Sequence, residues 1–195
     1  MMSSENYLDS ITKQFQYYKH LGDKTFVQLE EQELFWQYNE DSNSIAIIVN
    51  HLWGNMRSRW TDFLTSDGEK EWRKRDEEFE DILQSQEDCI KKWEAGWSCL
   101  FEALATINED NFNSLVYIRN QGHTLTEAIH RQLAHYAYHV GQMVYIGKMI
   151  QGENWESLSI PKGASKKYNT EKFSQKKSKQ HVTDEFLTKK DTESN

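Results

Sequence analysis

Hydrophobic residues recur every three or four positions along three long stretches in the first part of the chain, the spacing that places them on one face of an α-helix. The first stretch begins near Leu8 and predicts a helix of about 25 residues. The second follows candidate N-cap residues at 41–43 and is predicted to end near Gly68. The third helix is predicted from the clearest apolar stripe, formed by Phe79, Ile82, Leu83, Ile90, Trp93, Trp97, Leu100, Phe101 and Leu104.

A fourth helix is predicted from Thr124 to about Gly152. Thr124 and Glu127 fit a capping box, in which a hydroxyl and a carboxylate satisfy backbone donors at the start of a helix. Just before it, residues 114–122 predict a short extended stretch that covers one end of the helices. Four helices joined by connections of about 12 to 18 residues predict an all-α four-helix bundle.

Composition divides the chain into one domain and a tail. The 195 residues fit a single core of ordinary size, which we assign to residues 1–165. Seven Trp, nine Tyr and nine Phe predict that this core is largely aromatic. Residues 166–195 are polar and charged, so we expect a tail that is flexible, or docked on the outside of the bundle or on a partner subunit.

Charge and hydropathy exclude several partners. A formal net charge of −8 argues against nucleic acid, because phosphate binding needs a cationic face. No apolar stretch approaches the roughly 20 residues that span a bilayer, and the first residues lack the features of a signal peptide, so a cytoplasmic protein is expected. Cys89 and Cys99 lie about 15 Å apart along one predicted helix, too far for a disulfide, and are expected to be reduced thiols.

The strongest chemical signal is a histidine pair on the fourth predicted helix. His135 and His139 are four residues apart, so they project from one face and can reach one metal ion. On a helical wheel they lie at the edge of the apolar stripe, where another helix is expected to pack. Ordinary core or surface histidines also form such pairs, so the pair alone is weak evidence.

His51 on the second predicted helix offers a third ligand. Three neutral imidazoles that converge in a bundle would each need a hydrogen-bond partner, whereas one divalent ion satisfies all three acceptor nitrogens. Three protein ligands also leave a coordination position open, as catalytic sites do. We therefore predict a divalent metal, zinc or nickel in the first place, at His51, His135 and His139.

Three further polar residues are predicted to line this site. Asn55 follows His51 by one turn, Arg131 precedes His135 by one turn, and Gln142 follows His139. Such residues fix imidazole tautomers or hold an anionic substrate group, although a plain surface role is an equal alternative for Arg131. The charged residues at 72–76 are interpreted as a salt-bridged loop on the bundle end, or else as a basic rim for an anionic ligand.

His51 together with the segment His135-x3-His139-x-Gly141-Gln142 resembles the DinB/YfiT-like superfamily of bacterial four-helix bundles. The stretches RSRWTDFLTSDGEKEWRKRDEEF and IRNQGHTLTEAIHRQLAHYAYHVGQMVY are similar to an uncharacterised bacterial group within it, known only as a domain of unknown function. The similarity covers about residues 5–165. The resemblance implies the same three histidine ligands and a homodimer.

The superfamily's chemistry is an analogy for this chain. Relatives include thiol transferases that act with bacillithiol or mycothiol, and a maleylpyruvate isomerase, so a small thiol or an anionic molecule is the implied substrate. Members often read HHRGQ at the last motif, whereas Tyr138, His139 and Val140 occupy it here and remove the arginine. A substrate contact is therefore expected to differ.

Several functions remain open at this point. The three histidines suit a metal-dependent hydrolase or a small-thiol transferase, and no separate catalytic residue is assigned. The competing class is a non-catalytic, dimeric helical binding or stress-response protein with a structural metal or none. In a third possibility the second and fourth helices are not neighbours and the histidines never meet.

Overall fold

The computed structural model describes residues 4–80 and 82–187. The end of the predicted tail, residues 188–195, lies outside the described residues. The chain is mostly helical, which confirms the predicted all-α class. Its helices are α1 (Ser4–Val27), α2 (Ile45–Trp60), α3 (Gln86–Ala105), α4 (Leu125–Gln151), α5 (Ser165–Phe173) and α6 (Asp184–Leu187), and its strands are β1 (Leu115–Ile118) and β2 (Gln121–Thr124).

The four long helices enclose one core. α2 packs on α3, α1 packs on α4, and α2 also contacts α4. As predicted, the centre is aromatic: Phe15 of α1, Trp97 of α3 and Tyr136 of α4 are fully buried. Their ring centroids lie 5.9–6.4 Å apart, the separation of tilted and edge-to-face pairs. These rings join three of the four helices at one level of the bundle.

The second helix differs from its prediction at both ends. Ser44, rather than residues 41–43, is the N-cap, and its hydroxyl accepts a hydrogen bond from the Ile47 backbone N–H at 3.1 Å. The helix ends at Trp60 instead of near Gly68. Asp62 adopts a positive φ of 48°, which an α-helix does not contain, so the chain turns away there.

The third helix begins at Gln86, so the prediction that its apolar stripe starts at Phe79 was wrong. Ser85 caps the helix by accepting a hydrogen bond from the Asp88 N–H, and Phe79 ends a separate 3-10 turn, Asp76–Phe79. Residues 61–85 therefore form a connection longer than predicted. This connection, called here the α2–α3 loop, returns to the bundle and contacts α2.

The predictions at the start of α4 are confirmed. Thr124 and Glu127 form the capping box, and the segment expected to be extended is a two-stranded antiparallel hairpin. Arg119 and Asn120 have φ of 55° and 60° at its turn. The Asp67 carboxylate accepts hydrogen bonds from both of their backbone N–H groups at 2.8 Å, which ties the hairpin to the α2–α3 loop.

The described part of the tail folds back on the bundle. α6 contacts α1, where Asp184 pairs with Lys13 at 3.3 Å and the Phe186 ring lies 5.2 Å from that of Tyr17. Cys89 and Cys99 are both free thiols. Among the described residues, no helix is long and apolar enough to cross a membrane.

The approach of α1 to α3 depends on Gly22. A Cβ at this position would lie 2.2 Å from the Trp93 ring, so we expect Gly22→Ala to destabilise the protein by about 1–3 kcal/mol through overpacking. Gly141 in α4 has nothing within 4 Å of its Cβ position, and Gly141→Ala is the matched control. That control should gain about 0.5–1 kcal/mol from helix propensity. Urea denaturation measures both, and equal stabilisation by the two alanines would contradict the close packing of Trp93.

Candidate metal centre

A buried hydrogen-bond chain fixes the register between α2 and α4. The indole N–H of Trp60 donates to the hydroxyl of Tyr136 at 3.0 Å, and that hydroxyl donates to Asn55 Oδ1 at 3.2 Å. Trp60 and Asn55 belong to α2, whereas Tyr136 belongs to α4. Because His51 lies one turn before Asn55 and His135 adjoins Tyr136, this chain brings the two histidines to the same level.

The three predicted histidines meet between these helices. His135 Nε2 lies 3.2 Å from His51 Nε2 and 3.1 Å from His139 Nε2. One ligand nitrogen from each ring lies within 4.8 Å of the others, so the group could hold a metal ion. Two nitrogens bound to one zinc at about 2.0–2.1 Å are about 2.9–3.4 Å apart for angles between 90° and 110°. The two short spacings match that range.

The outer nitrogens of two rings are held by hydrogen bonds. His51 Nδ1 lies 3.0 Å from Glu78 Oε2, and His139 Nδ1 lies 2.8 Å from Gln142 Oε1. A carboxylate and an amide oxygen only accept hydrogen bonds, so both Nδ1 atoms must be the donors. In the neutral rings, the Nε2 atoms of His51 and His139 therefore point lone pairs at His135.

His135 cannot satisfy both of these lone pairs. Its neutral ring carries one proton, which can be donated to one neighbour at most. Its Nδ1 is buried and has no hydrogen-bond partner among the described residues. A cation at the centre would accept all three Nε2 lone pairs, so the donor set fits a divalent metal of the imidazole-binding kind.

Electrostatics keep two of the rings neutral at physiological pH. Burial lowers the pKa of His135 to about 3, with further lowering by the cationic forms of His139 and His51. Burial also lowers the pKa of His139 to about 4. A neutral imidazole is the form that binds a metal, so these rings need not lose a proton to do so at pH 7.

Glu78 and Phe79, which were not predicted as site residues, hold His51 from the α2–α3 loop. Phe79 stacks on the His51 ring with centroids 4.7 Å apart. Glu78 accepts hydrogen bonds from Arg73 Nε at 2.7 Å and Nη2 at 2.9 Å, and both side chains are buried. Burial raises the pKa of Glu78, but the hydrogen bonds and charges of Arg73 and His51 outweigh it and lower the pKa overall.

Gly54 was the one feature of the sequence that indicated a close contact near His51. It follows His51 by three residues in α2, and a Cβ there would lie 2.3 Å from Glu78 Oε1. A glycine inside a helix next to a candidate ligand indicates that another group approaches closely. Which group approaches could not be read from the sequence.

The histidines open onto a cavity of about 590 Å³. Its lining is cationic, and no acidic residue among those described lines it. The Glu69 carboxylate behind this lining pairs with Arg59, Arg73 and Arg119, so those charges are partly compensated. The α2–α3 loop is thus salt-bridged and also contributes to a basic rim. The lining arginines are Arg59, Arg73, Arg75, Arg119 and Arg131.

The three additional predicted residues all line this cavity, in different ways. Gln142 orients His139 directly. The Asn55 side-chain oxygen instead accepts a hydrogen bond from the Tyr136 hydroxyl. Arg131 is exposed, and its Nη1 lies 3.3 Å from His123 Nε2. Arg131 has no carboxylate partner among the described residues.

Fold and site together define a helical protein whose three-histidine group could hold a metal at the floor of a cationic cavity. The model of the family described as "Protein of unknown function (DUF1572)" matches residues 2–164, and the chain belongs to this family. Neither the curated proteins nor the solved structures gave a match.

The carboxylate of Glu78 can be tested as an orienting group. We expect Glu78→Gln to weaken zinc binding about 10- to 100-fold, because partners that orient a ligand typically contribute this much. Zinc affinity would be measured by chelator competition. Glu77→Gln is the matched control, since Glu77 is exposed and pairs with Lys74.

Glu78→Gln also removes the nearer of the two carboxylates that pair with the buried Arg73, so folding must be checked by circular dichroism. Gln142→Met, at a less buried position, supplies a second variant with the same expected loss of affinity. Unchanged zinc affinity in folded forms of both variants would contradict the orienting role.

Proposed function

We propose that the protein is a divalent-metal-dependent enzyme, with zinc or nickel at His51, His135 and His139. One observation carries the proposal: three Nε2 atoms converge with too few protons among them, at the floor of an open cavity. Three protein ligands leave a position for a reactant, which is the arrangement of catalytic rather than structural metal sites.

A bound divalent ion would supply Lewis acidity to a water or a thiol in the open position. The chain's own residues have two other tasks. Glu78 and Gln142 hold the rings of His51 and His139, and the arginine-lined cavity attracts an anionic reactant. A metal-dependent hydrolase and a small-thiol transferase both need this arrangement, and we propose these two as the reaction classes.

The proposal includes kinship with the DinB/YfiT-like superfamily and a homodimer as the working assembly. Support for the kinship comes from the order of the long helices, with one histidine on α2 and two on α4, and the homodimer rests on that kinship. The competing proposal is a binding or stress-response protein without catalysis. In its favour, an ion at the histidines would join α2 to α4 and so stabilise the bundle.

Ligand binding separates these proposals. We expect cysteine to bind cobalt-reconstituted protein and to produce a thiolate-to-cobalt absorption band, because cobalt resembles zinc in its preference for imidazole and thiolate ligands. Chelator-treated protein should give no band. His130→Ala is the control variant, since His130 is exposed on α4 and outside the group.

A parallel assay tests metal-dependent hydrolysis of small carboxylate esters. Metal-dependent thiol binding or metal-dependent ester hydrolysis supports the enzyme. Protein that gains thermal stability with metal, yet binds no thiol and hydrolyses no ester, would instead support the non-catalytic alternative.

A further inference from the structure

A second cavity of about 310 Å³ adjoins the metal cavity and has a different character. Trp36 and Tyr38 form one wall, and Tyr145, Ile146 and Met149 of α4 form the other. Four of these side chains are exposed despite being apolar: Trp36 by 38%, Tyr38 by 78%, Tyr145 by 64% and Met149 by 44%. We call this concave surface the aromatic groove.

The groove continues the metal cavity, because Asn43 and Gln142 line both. One face of α4 lines both the metal cavity and the aromatic groove. Spacings of three and four residues place its lining side chains on a single stripe, from the arginine end to the apolar end. They are Arg131, His135, Tyr138, Gln142, Tyr145 and Met149.

The opposite wall of the groove is fixed to α4. The 3-10 turn Glu31–Phe35 precedes Trp36, and its Glu33 carboxylate accepts a hydrogen bond from Gln151 Nε2 at 2.9 Å. Gln151 is the last residue of α4. The wall is therefore built into the fold beside the helix end.

The two joined cavities differ in the charge of their lining residues. Five arginines line the metal cavity, whereas the aromatic groove has one charged lining residue, Asp41. An anionic group is attracted to the arginines of the metal cavity and repelled by Asp41 of the aromatic groove. A molecule that fills both would place its charge among the arginines near the histidines and its apolar part along the groove.

We propose that the substrate is an organic anion with an apolar body, whose carboxylate or similar group binds in the arginine-lined cavity while the body lies in the aromatic groove. That this molecule is a substrate rests on the proposed function, but its binding in the groove does not. Tyr145 lies about 9 Å beyond His139 along the helix axis, so an acyl chain of about eight carbons reaches from the histidines into the groove.

A small molecule suits the groove better than a second copy of the chain. Its volume lies at the lower end of the roughly 300–1,000 Å³ typical of small-molecule sites, and it opens directly into the metal cavity. A helix from a second copy would need a longer apolar stripe than Tyr145 and Met149 provide, because the stripe becomes polar at Gln142 and cationic at Arg131.

The test uses butanoate and octanoate as probes, with affinities measured by calorimetry on zinc-loaded and chelator-treated protein. A fully buried methylene strengthens binding about fourfold, and about twofold is expected in a groove open on one side. Octanoate should therefore bind about 16-fold more tightly than butanoate. Zinc content of the same samples is determined separately.

Two variants separate the two halves of the site. Tyr145→Ser should reduce the octanoate-to-butanoate ratio about threefold, since it removes apolar contact from the groove. Tyr117→Ser is the matched control, because Tyr117 is an exposed tyrosine on β1 outside the groove. Arg75→Gln should weaken both probes by the same factor, because Arg75 lies over the Phe79 ring that stacks on His51, so the substitution removes charge beside the histidines and leaves the groove intact.

A chain-length effect that falls about threefold in Tyr145→Ser supports the proposal, with or without bound zinc. Protein that takes up no zinc on reconstitution but still shows the effect would overturn the proposed metalloenzyme and leave the groove assignment standing. Equal affinity for both probes would overturn the groove assignment alone. Sedimentation adds a last outcome: a dimer that Tyr145→Ser converts to monomer, with no chain-length effect, would mean that a second copy covers the groove.

Discussion

The central constraint in this structure is that three imidazole nitrogens share one small region with too few protons to satisfy them. Glu78 and Gln142 fix the donors of His51 and His139 on the outer side, so both lone pairs face His135. His135 can donate to only one of them. The other lone pair is left without a donor in a buried position, which is costly, and a cation between the three rings removes that cost.

The surrounding fold makes this arrangement rigid. The hydrogen bonds from Trp60 through Tyr136 to Asn55 set the register of α2 against α4, and the α2–α3 loop holds His51 from the other side. That loop carries the buried Arg73–Glu78 pair. A buried ion pair is weak evidence for stability, because desolvation of both charges offsets their attraction. Its clearer contribution is to keep an ionised carboxylate on His51 Nδ1.

Sequence periodicity predicted the parts of the fold that depend on local pattern. The four long helices, the capping box at Thr124 and the extended segment before it follow from spacing and capping chemistry. Helical geometry also placed His135 and His139 on one face, facing the helix that carries His51. The predicted end of α2 and the predicted start of α3 were wrong, because apolar residues such as Phe79 belong to a loop that packs on the bundle.

The environment of the histidines could be predicted only in part. Gln142 lies three residues from His139 on the same helix, so its contact is a local property. Glu78 reaches His51 from 27 residues away, through a loop whose path depends on Gly54 and on the pairing of Arg73. The arginines of the cavity come from four parts of the chain, namely α2, the α2–α3 loop, the hairpin and α4, and the loop and hairpin must fold before these arginines share one lining.

The most direct test of the central claim is the zinc content of reconstituted, untagged protein, measured by elemental analysis beside His51→Ala, His135→Ala and His139→Ala. About one zinc per chain is expected in the unaltered protein, because three imidazoles and an open position complete one ion's coordination. Each substitution should remove most of that zinc. Protein that takes up no zinc, or that retains it in all three variants, would rule out a metal site at these histidines.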